Sequence, residues 1–420
     1  SALGAWILFG PASAATWGGI GAVIGYALGT AFPLFILTYL GDKFRKSFPK
    51  SKSLIEVIRI RFGNKLFKLI LIISIFYMTI FLIAEVTAVS ILMKYISGAD
   101  LWITALIIII SSLLYTLYGG LRASIFTDNI QFIIIILLIF ISFTYLISFN
   151  QNFNFEFIKL NKPHLLSSDY LPNFTAGITF FIAVAATNLF HQGNWQRVYA
   201  AKSREILKKS LIISSLIIIP VVFSFGFTGL IAVSESQEVI PDLAFFTLLL
   251  KDQKIILALI IVLLAISLTV SSIDTLINAI SSLIIVDGNK VLKFKGDFIK
   301  LSKLIIIFIS ILAFIISSKG LSILYLFLLA DLFCCAAVLS VFYGFYSKSF
   351  KELNAYISIL LGLFGGILLF PSPDFSKSIL VGILIPKDVF PLFISQSLLF
   401  LSFLVATFIP IVTWKILKND

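Results

Sequence analysis

Apolar stretches of about twenty residues recur along this whole 420-residue chain, and they decide which solvent it folds in. A hydrocarbon core roughly 30 Å thick needs about 20 apolar residues per helical crossing. With 60% hydrophobic and 12% charged residues, a domain of this length would not stay dispersed in water. Runs such as Ile107 to Ile110 and Ile133 to Ile139 are continuous, whereas strands of a membrane barrel alternate in polarity. The chain is therefore expected to be all-α, a polytopic transmembrane helical bundle. Its twelve spans are expected at 5–16, 18–40, 66–93, 101–118, 127–149, 173–190, 210–233, 255–286, 302–318, 320–345, 354–370 and 390–414.

The formal net charge of +12 lies between spans and not in one patch, so no nucleic-acid partner is inferred. Alternate loops carry Lys43, Arg45, Lys46, Lys50, Lys52, Arg59 and Arg61; Arg122; Arg197, Lys202, Arg204, Lys208 and Lys209; Lys290, Lys293, Lys295, Lys300 and Lys303; Lys348 and Lys351. These loops, and the C-terminus with them, are expected on the cytoplasmic side. The opposite loops hold scattered charges, among them Lys159, Lys251, Lys319, Asp169, Glu235, Glu238 and Asp242. Cys334 and Cys335 are adjacent in an apolar run, where neighbouring helical side chains point about 100° apart, and read as core. His164 and His191 lie in different loops without an acidic or cysteine cluster, which argues against zinc or a hydrolytic triad. Nothing in the pattern is that of an enzyme.

Two segments break the apolar pattern. The first, Gly4 to Ala15, is interrupted by Gly10-Pro11; the sixth, Ile182 to Trp195, ends in Asn188, His191, Gln192 and Asn194. Breaks five segments apart suit an inverted-repeat transporter, because unwound backbone at membrane depth survives where it lines a cavity; glycine and proline are also simply common in membrane helices. Glu85, Asp274 and Asp331 fall inside apolar spans, where an acid costs about 2.5–3.5 kcal/mol on insertion scales and needs a partner or a wet cavity. Glu85 and Asp331 also suit a structural hydrogen bond to a neighbouring helix. Asp128 suits either a helix cap or attraction of a departing cation. The hydroxyl-rich eighth span includes Ser271 and Ser272, which could supply neutral oxygens to Na⁺ or bond back to their own helix.

Several stretches together resemble the sodium/solute symporter family: Ser53 to Gly63, Tyr115 to Ser124 running into Thr127-Asp128, Gly193 to Arg197 with Ala200-Ala201-Lys202, and Ser271 to Thr275 with Ala279, Ser281, Ser282 and Asp287. The resemblance covers residues 1 to about 345. It implies a LeuT-like inverted five-plus-five helix repeat, with 1–150 as the first repeat, 173–345 as the second, and two additional C-terminal helices over 354–414. It implies Na⁺ bound by the Ser271 and Ser272 hydroxyls, a carbonyl near Leu268 and carbonyls near Ala2 or Leu3, with Asp128 on the sodium exit path. By location, the solute would lie near Phe9, Gly10, Asn188 and Phe190. The family pattern has a further helix and a complete first core helix ahead of this point. The chain opens inside the unwound stretch, so the N-terminal helix and at least one ion-coordinating carbonyl are expected upstream of Ser1.

The reading is a secondary transporter of the bacterial cytoplasmic (inner) membrane, coupling Na⁺ to a small organic solute such as urea, proline or another amino acid. Its partners are that solute and the lipid bilayer, with no obligatory protein partner inferred. No acidic cluster suited to a polyamine stands out. The alternatives are proton coupling through Glu85 or Asp274, and a transporter-like membrane sensor.

Overall fold

Inside a bilayer every backbone N–H and C=O needs a protein partner, so apolar spans close their hydrogen bonds as helices. The computed structural model describes residues 4–416, without 50, 52, 115–129, 237, 253, 292–295, 348–350, 374, 376, 381, 383–396, 414 and 415. Among the described residues, nine helices are long and apolar enough to cross a membrane. The principal elements are α1 (Trp6–Ser47), α2 (Leu54–Phe62), α3 (Asn64–Ser97), α4 (Leu101–Leu114), α5 (Ile130–Phe149), α6 (Leu171–Phe190) and α7 (Gln192–Ala200). They continue with α8 (Arg204–Glu235), α9 (Ile255–Ser282), α10 (Phe298–Ser317), α11 (Ile323–Gly344), α12 (Glu352–Leu369) and α13 (Leu398–Thr413).

The first two expected spans share α1, which breaks at Gly19 with φ +59° and ψ −157°, a backbone state that favours glycine. The Asn173 side chain meets that break, its Oδ1 accepting from the Gly21 N–H at 3.2 Å. The expected interruption at Gly10-Pro11 is corrected: that backbone is helical, and the non-helical residues are Gly4 and Ala5 just ahead of Trp6. A proline is tolerated inside a membrane helix when neighbouring groups satisfy the carbonyl it frees. The sixth segment does stop where expected. Helix α6 ends at Phe190, His191 leaves the helical region (φ −58°, ψ 111°), and α7 restarts at Gln192.

Two compact units divide the chain. The first comprises Ser1–Val23, Met78–Asn173 and Val222–Phe327. Its interior joins α9 to the helical stretch 101–149 and to α10, with Ser281 and Ser302 hydroxyls 2.9 Å apart, and holds the buried rings of Phe9, Phe225, Phe245 and Phe246. Helix α5 turns Ile133, Phe140 and Ile147, each more than two-thirds exposed, to one side at heptad spacing. Such an apolar face is stable only against lipid.

The second unit comprises Ile24–Tyr77, Phe174–Val221 and Leu328–Asp420. Phe44, Trp195 and Phe345 form its aromatic centre, with Phe44 4.6 Å from Phe345 and 5.3 Å from Trp195 between ring centroids. The Trp195 indole donates to the Leu189 carbonyl at 2.7 Å, fixing α7 under the end of α6. Glu352, first residue of α12, accepts from the Leu66 N–H at 3.1 Å and so caps α3. Small residues bring backbones together: a Cβ at Gly25 would overlap the Gly177 carbonyl, and the Ser402 hydroxyl on α13 donates to the Gly366 carbonyl on α12 at 2.7 Å.

Gly25→Val should therefore lose about 1–3 kcal/mol by overpacking. A melting curve in detergent should show a drop of several degrees, while Gly288→Ala, whose added Cβ meets only ordinary contacts, should leave the midpoint unchanged.

Candidate functional site

The start of α1 illustrates how a broken helix is held at membrane depth. Gly4 and Ala5 precede the first helical residue, and Leu8 already donates to the Ala5 carbonyl at 2.9 Å. The orphan N–H groups of this end face Glu85, midway along α3 and only 2% exposed: the Ala5 N–H donates to Glu85 Oε2 at 2.9 Å. A carboxylate suits the positive end of the α1 dipole, and these donors offset part of the cost of burying it. Gly4 permits the approach, since a Cβ there would overlap Ser272 Oγ and lie 2.6 Å from Glu85 Oε1.

Ser272 belongs to α9 and reaches this junction from the other side. Its hydroxyl donates to the Leu268 carbonyl at 3.0 Å, and Ser271 beside it is 2% exposed. Of the residues expected to hold an ion, Ser272 reaches the broken end of α1, and Leu268 and Ser271 lie beside it on α9 in the same compact unit. Ala2, Leu3 and Asp128 lie outside the described residues. The sequence suggested that Glu85 needed a partner, and the junction supplies one; it did not connect Glu85 with Ser272.

A second junction in the same unit was not foreseen. Asp242, one of the scattered loop acids, is buried, and its carboxylate accepts from the Ser13 hydroxyl at 2.9 Å and the Ile323 N–H at 2.8 Å. It joins α1 to the capped N-terminus of α11. The only local signal is Pro241-Asp242 opening the apolar run Leu243 to Leu250, an ordinary helix start. Phe9, expected at a solute pocket, is fully buried and packs on Phe246 at 4.8 Å between centroids; Gly10 is buried beside it.

Asn188 and Phe190 belong to the second unit. The Asn188 amide donates to the Val184 carbonyl at 2.9 Å, and its backbone carbonyl accepts from the Asn194 side chain at 3.0 Å. The Phe190 carbonyl, left without a helical partner by the break, accepts from the Tyr77 hydroxyl at 3.2 Å. Close to this break Thr187 donates to Asp331 Oδ1 at 2.7 Å. At the break itself, His191 Nδ1 and Gln192 Nε2 are buried and have no hydrogen-bond partner among the described residues.

The sequence profile of the sodium:solute symporter family matches residues 1–362. Among curated proteins, the spermidine transporter DUR31 of Candida albicans is 26% identical over 376 residues, covering 87% of this chain and 70% of that protein. Among solved structures, a Na⁺-coupled sialic acid symporter in a substrate-bound outward-open state superposes with a TM-score of 0.71. It is 17% identical and covers 99% of this chain and 87% of that one. A manganese transporter of Eremococcus coleocola gives a TM-score of 0.50 at 13% identity, covering 99% of this chain and 92% of that one. The all-helical fold is the LeuT-like one.

Glu85→Ala should leave the Ala5 N–H without its acceptor and destabilise the protein by about 1–3 kcal/mol. Glu85→Gln, which keeps an acceptor oxygen, should lose markedly less; thermal melts of both variants in detergent check the ordering.

Proposed function

Because the chain belongs to the sodium:solute symporter family, we propose that it couples inward movement of Na⁺ to uptake of a small organic solute by alternating access. It is a transporter and not an enzyme, and its work is to change which side of the membrane a bound pair can reach. The observation that supports this reading best is the meeting of Ser272 and Glu85 at the broken start of α1.

In this reading Na⁺, a cargo and not a resident group, is held by the Ser271 and Ser272 hydroxyls, the Leu268 carbonyl and backbone carbonyls of the Ala2-Leu3 stretch. Neutral oxygens bind a hard cation without fixing a buried charge of their own. Glu85 acts one step behind them: by holding the Ala5 N–H it keeps the start of α1 in register with Ser272. Asp128 lies on the route by which the ion leaves. The solute binds near Phe9 and Gly10 of the first inverted repeat, 1–150, and Asn188 and Phe190 of the second, 173–345. One charge crossing 100 mV is worth about 2.3 kcal/mol, and a tenfold gradient costs about 1.4, so each Na⁺ supports roughly a fortyfold accumulation before its own gradient is added.

The distribution of Lys and Arg supports a cytoplasmic C-terminus and cytoplasmic placement of the α1–α2 and α7–α8 connections. The relative in Candida transports spermidine, and Asp331 with its Thr187 donor is a buried carboxylate of the kind an ammonium group seeks. That favours adding amines to the neutral and zwitterionic solutes, urea, proline and other amino acids, as the substrate class.

Proteoliposomes should accumulate a labelled solute from a panel of urea, proline and spermidine under an inward Na⁺ gradient. Replacing Na⁺ with choline at constant pH should abolish uptake, as should the double change Ser271→Ala and Ser272→Ala. Uptake that persists in choline would assign the coupling to protons instead.

A further inference from the structure

The second unit carries an open cavity of about 410 Å³ where the last turns of α1 meet the first turns of α8. Tyr39, Asp42, Lys43 and Lys46 line it from α1, and Arg204 and Lys208 from α8. Residues 39, 43 and 46 share one helical face, as do 204 and 208, so the cations point into a common space.

The charges in this space do not balance. Asp42 is the one carboxylate on the lining, and it holds Lys46 at 3.2 Å and Arg204 at 3.1 Å. Lys43 rests on the Tyr346 ring, its Nζ 3.9 Å from the centroid, and Lys208 has no anionic partner among the described residues. Arg204 also opens α8, so first-turn N–H groups add the positive end of a helix dipole, although the Ser203 hydroxyl takes the Ile206 N–H at 3.2 Å. Repulsion does not spread the cluster, because packing beneath it fixes the two helices. Gly41 abuts Val198, a Cβ there lying 3.0 Å from Val198 Cγ1 and 3.6 Å from Leu207 Cδ2, and Arg45 donates to the Ala201 carbonyl at 2.9 Å.

Next to the cavity both helices present apolar faces. Helix α1 exposes Leu28, Phe32, Phe35 and Tyr39 at spacings of four, three and four; α8 exposes Ile206, Ile213, Leu216 and Ile217. These faces require hydrocarbon, while the cavity at their end requires an anion. One molecule meets both demands. We propose that the cavity binds the phosphate headgroup of an anionic phospholipid, whose acyl chains run along the exposed faces of α1 and α8. Lys43 and Lys208 are the cations without a carboxylate partner among the described residues, and they take the phosphate; Arg204 shares it with Asp42, and Tyr39 marks the level of the headgroups. This assignment does not depend on which solute or coupling ion the protein uses.

The test is native mass spectrometry of the full chain in detergent, titrated with phosphatidylglycerol or phosphatidylcholine, alongside thermal melts with either lipid or inorganic phosphate. Phosphatidylglycerol should be retained as a bound adduct and raise the melting midpoint, and phosphatidylcholine should do neither. Lys43→Gln with Lys208→Gln should weaken phosphatidylglycerol retention about thirtyfold, since each basic group near an anionic headgroup contributes about a factor of five. Lys300→Gln with Lys303→Gln, an exposed basic pair on α10, should leave retention unchanged. Equal losses in the two double variants would mean that only general positive charge is at work, and would overturn the proposal. So would stabilisation by inorganic phosphate alone to the same extent, which would identify a free anion as the ligand. Unaltered retention in the Lys43/Lys208 variant would overturn it directly.

Discussion

A helix that stops inside a membrane leaves N–H groups that lipid cannot satisfy, and the rest of this structure is arranged around supplying acceptors for them. The start of α1 has Glu85, the start of α11 has Asp242, and the Gly19 break has Asn173. In each case a side chain from a distant part of the sequence takes the place of water. The two buried carboxylates gain from the positive helix ends they face, and the helix ends gain fixed positions.

Fixed positions are what ion and solute coupling demands. Glu85 holds Ala5 while Gly4 closes on Ser272, so the broken start of α1 and the hydroxyls of α9 form one junction. Asp242 links Ser13, two turns further along α1, to the first residue of α11. Helix α1 is thereby held at its start and again at Ser13 by acids on other elements. In the second unit the α6–α7 break is held differently: Tyr77 and Asn194 occupy the carbonyls of Phe190 and Asn188, and Gln192 keeps an unused donor.

The surface follows the same solvent logic. Apolar faces such as that of α5 stay exposed because lipid will cover them, and the basic residues collect where helices leave the hydrocarbon. Between α1 and α8 that collection is denser than topology needs, with Lys43, Lys46, Arg204 and Lys208 around Asp42. Close packing of Gly41 on Val198 and Leu207, and the Arg45 bond to the Ala201 carbonyl, hold these cations close despite their repulsion.

The sequence by itself determined the helical class, the membrane as solvent, most span boundaries and the break after Phe190. All of these depend on residues a few positions apart, where periodicity and composition act directly. The pattern alone read Gly10-Pro11 as an interruption, because a proline reads as a stop unless its surroundings satisfy the freed carbonyl, whereas the family resemblance put the opening of the chain in the unwound stretch, where Gly4 and Ala5 are non-helical. Only the tertiary structure decided that Glu85 meets Ala5 across 80 residues, that Asp242 meets Ser13 across 229, and that the α1 and α8 cations share one cavity. A carboxylate carries no local mark of the helix end it will cap; that choice is made by chain packing, which alone brings a lone acid and an unsatisfied N–H to within 3 Å.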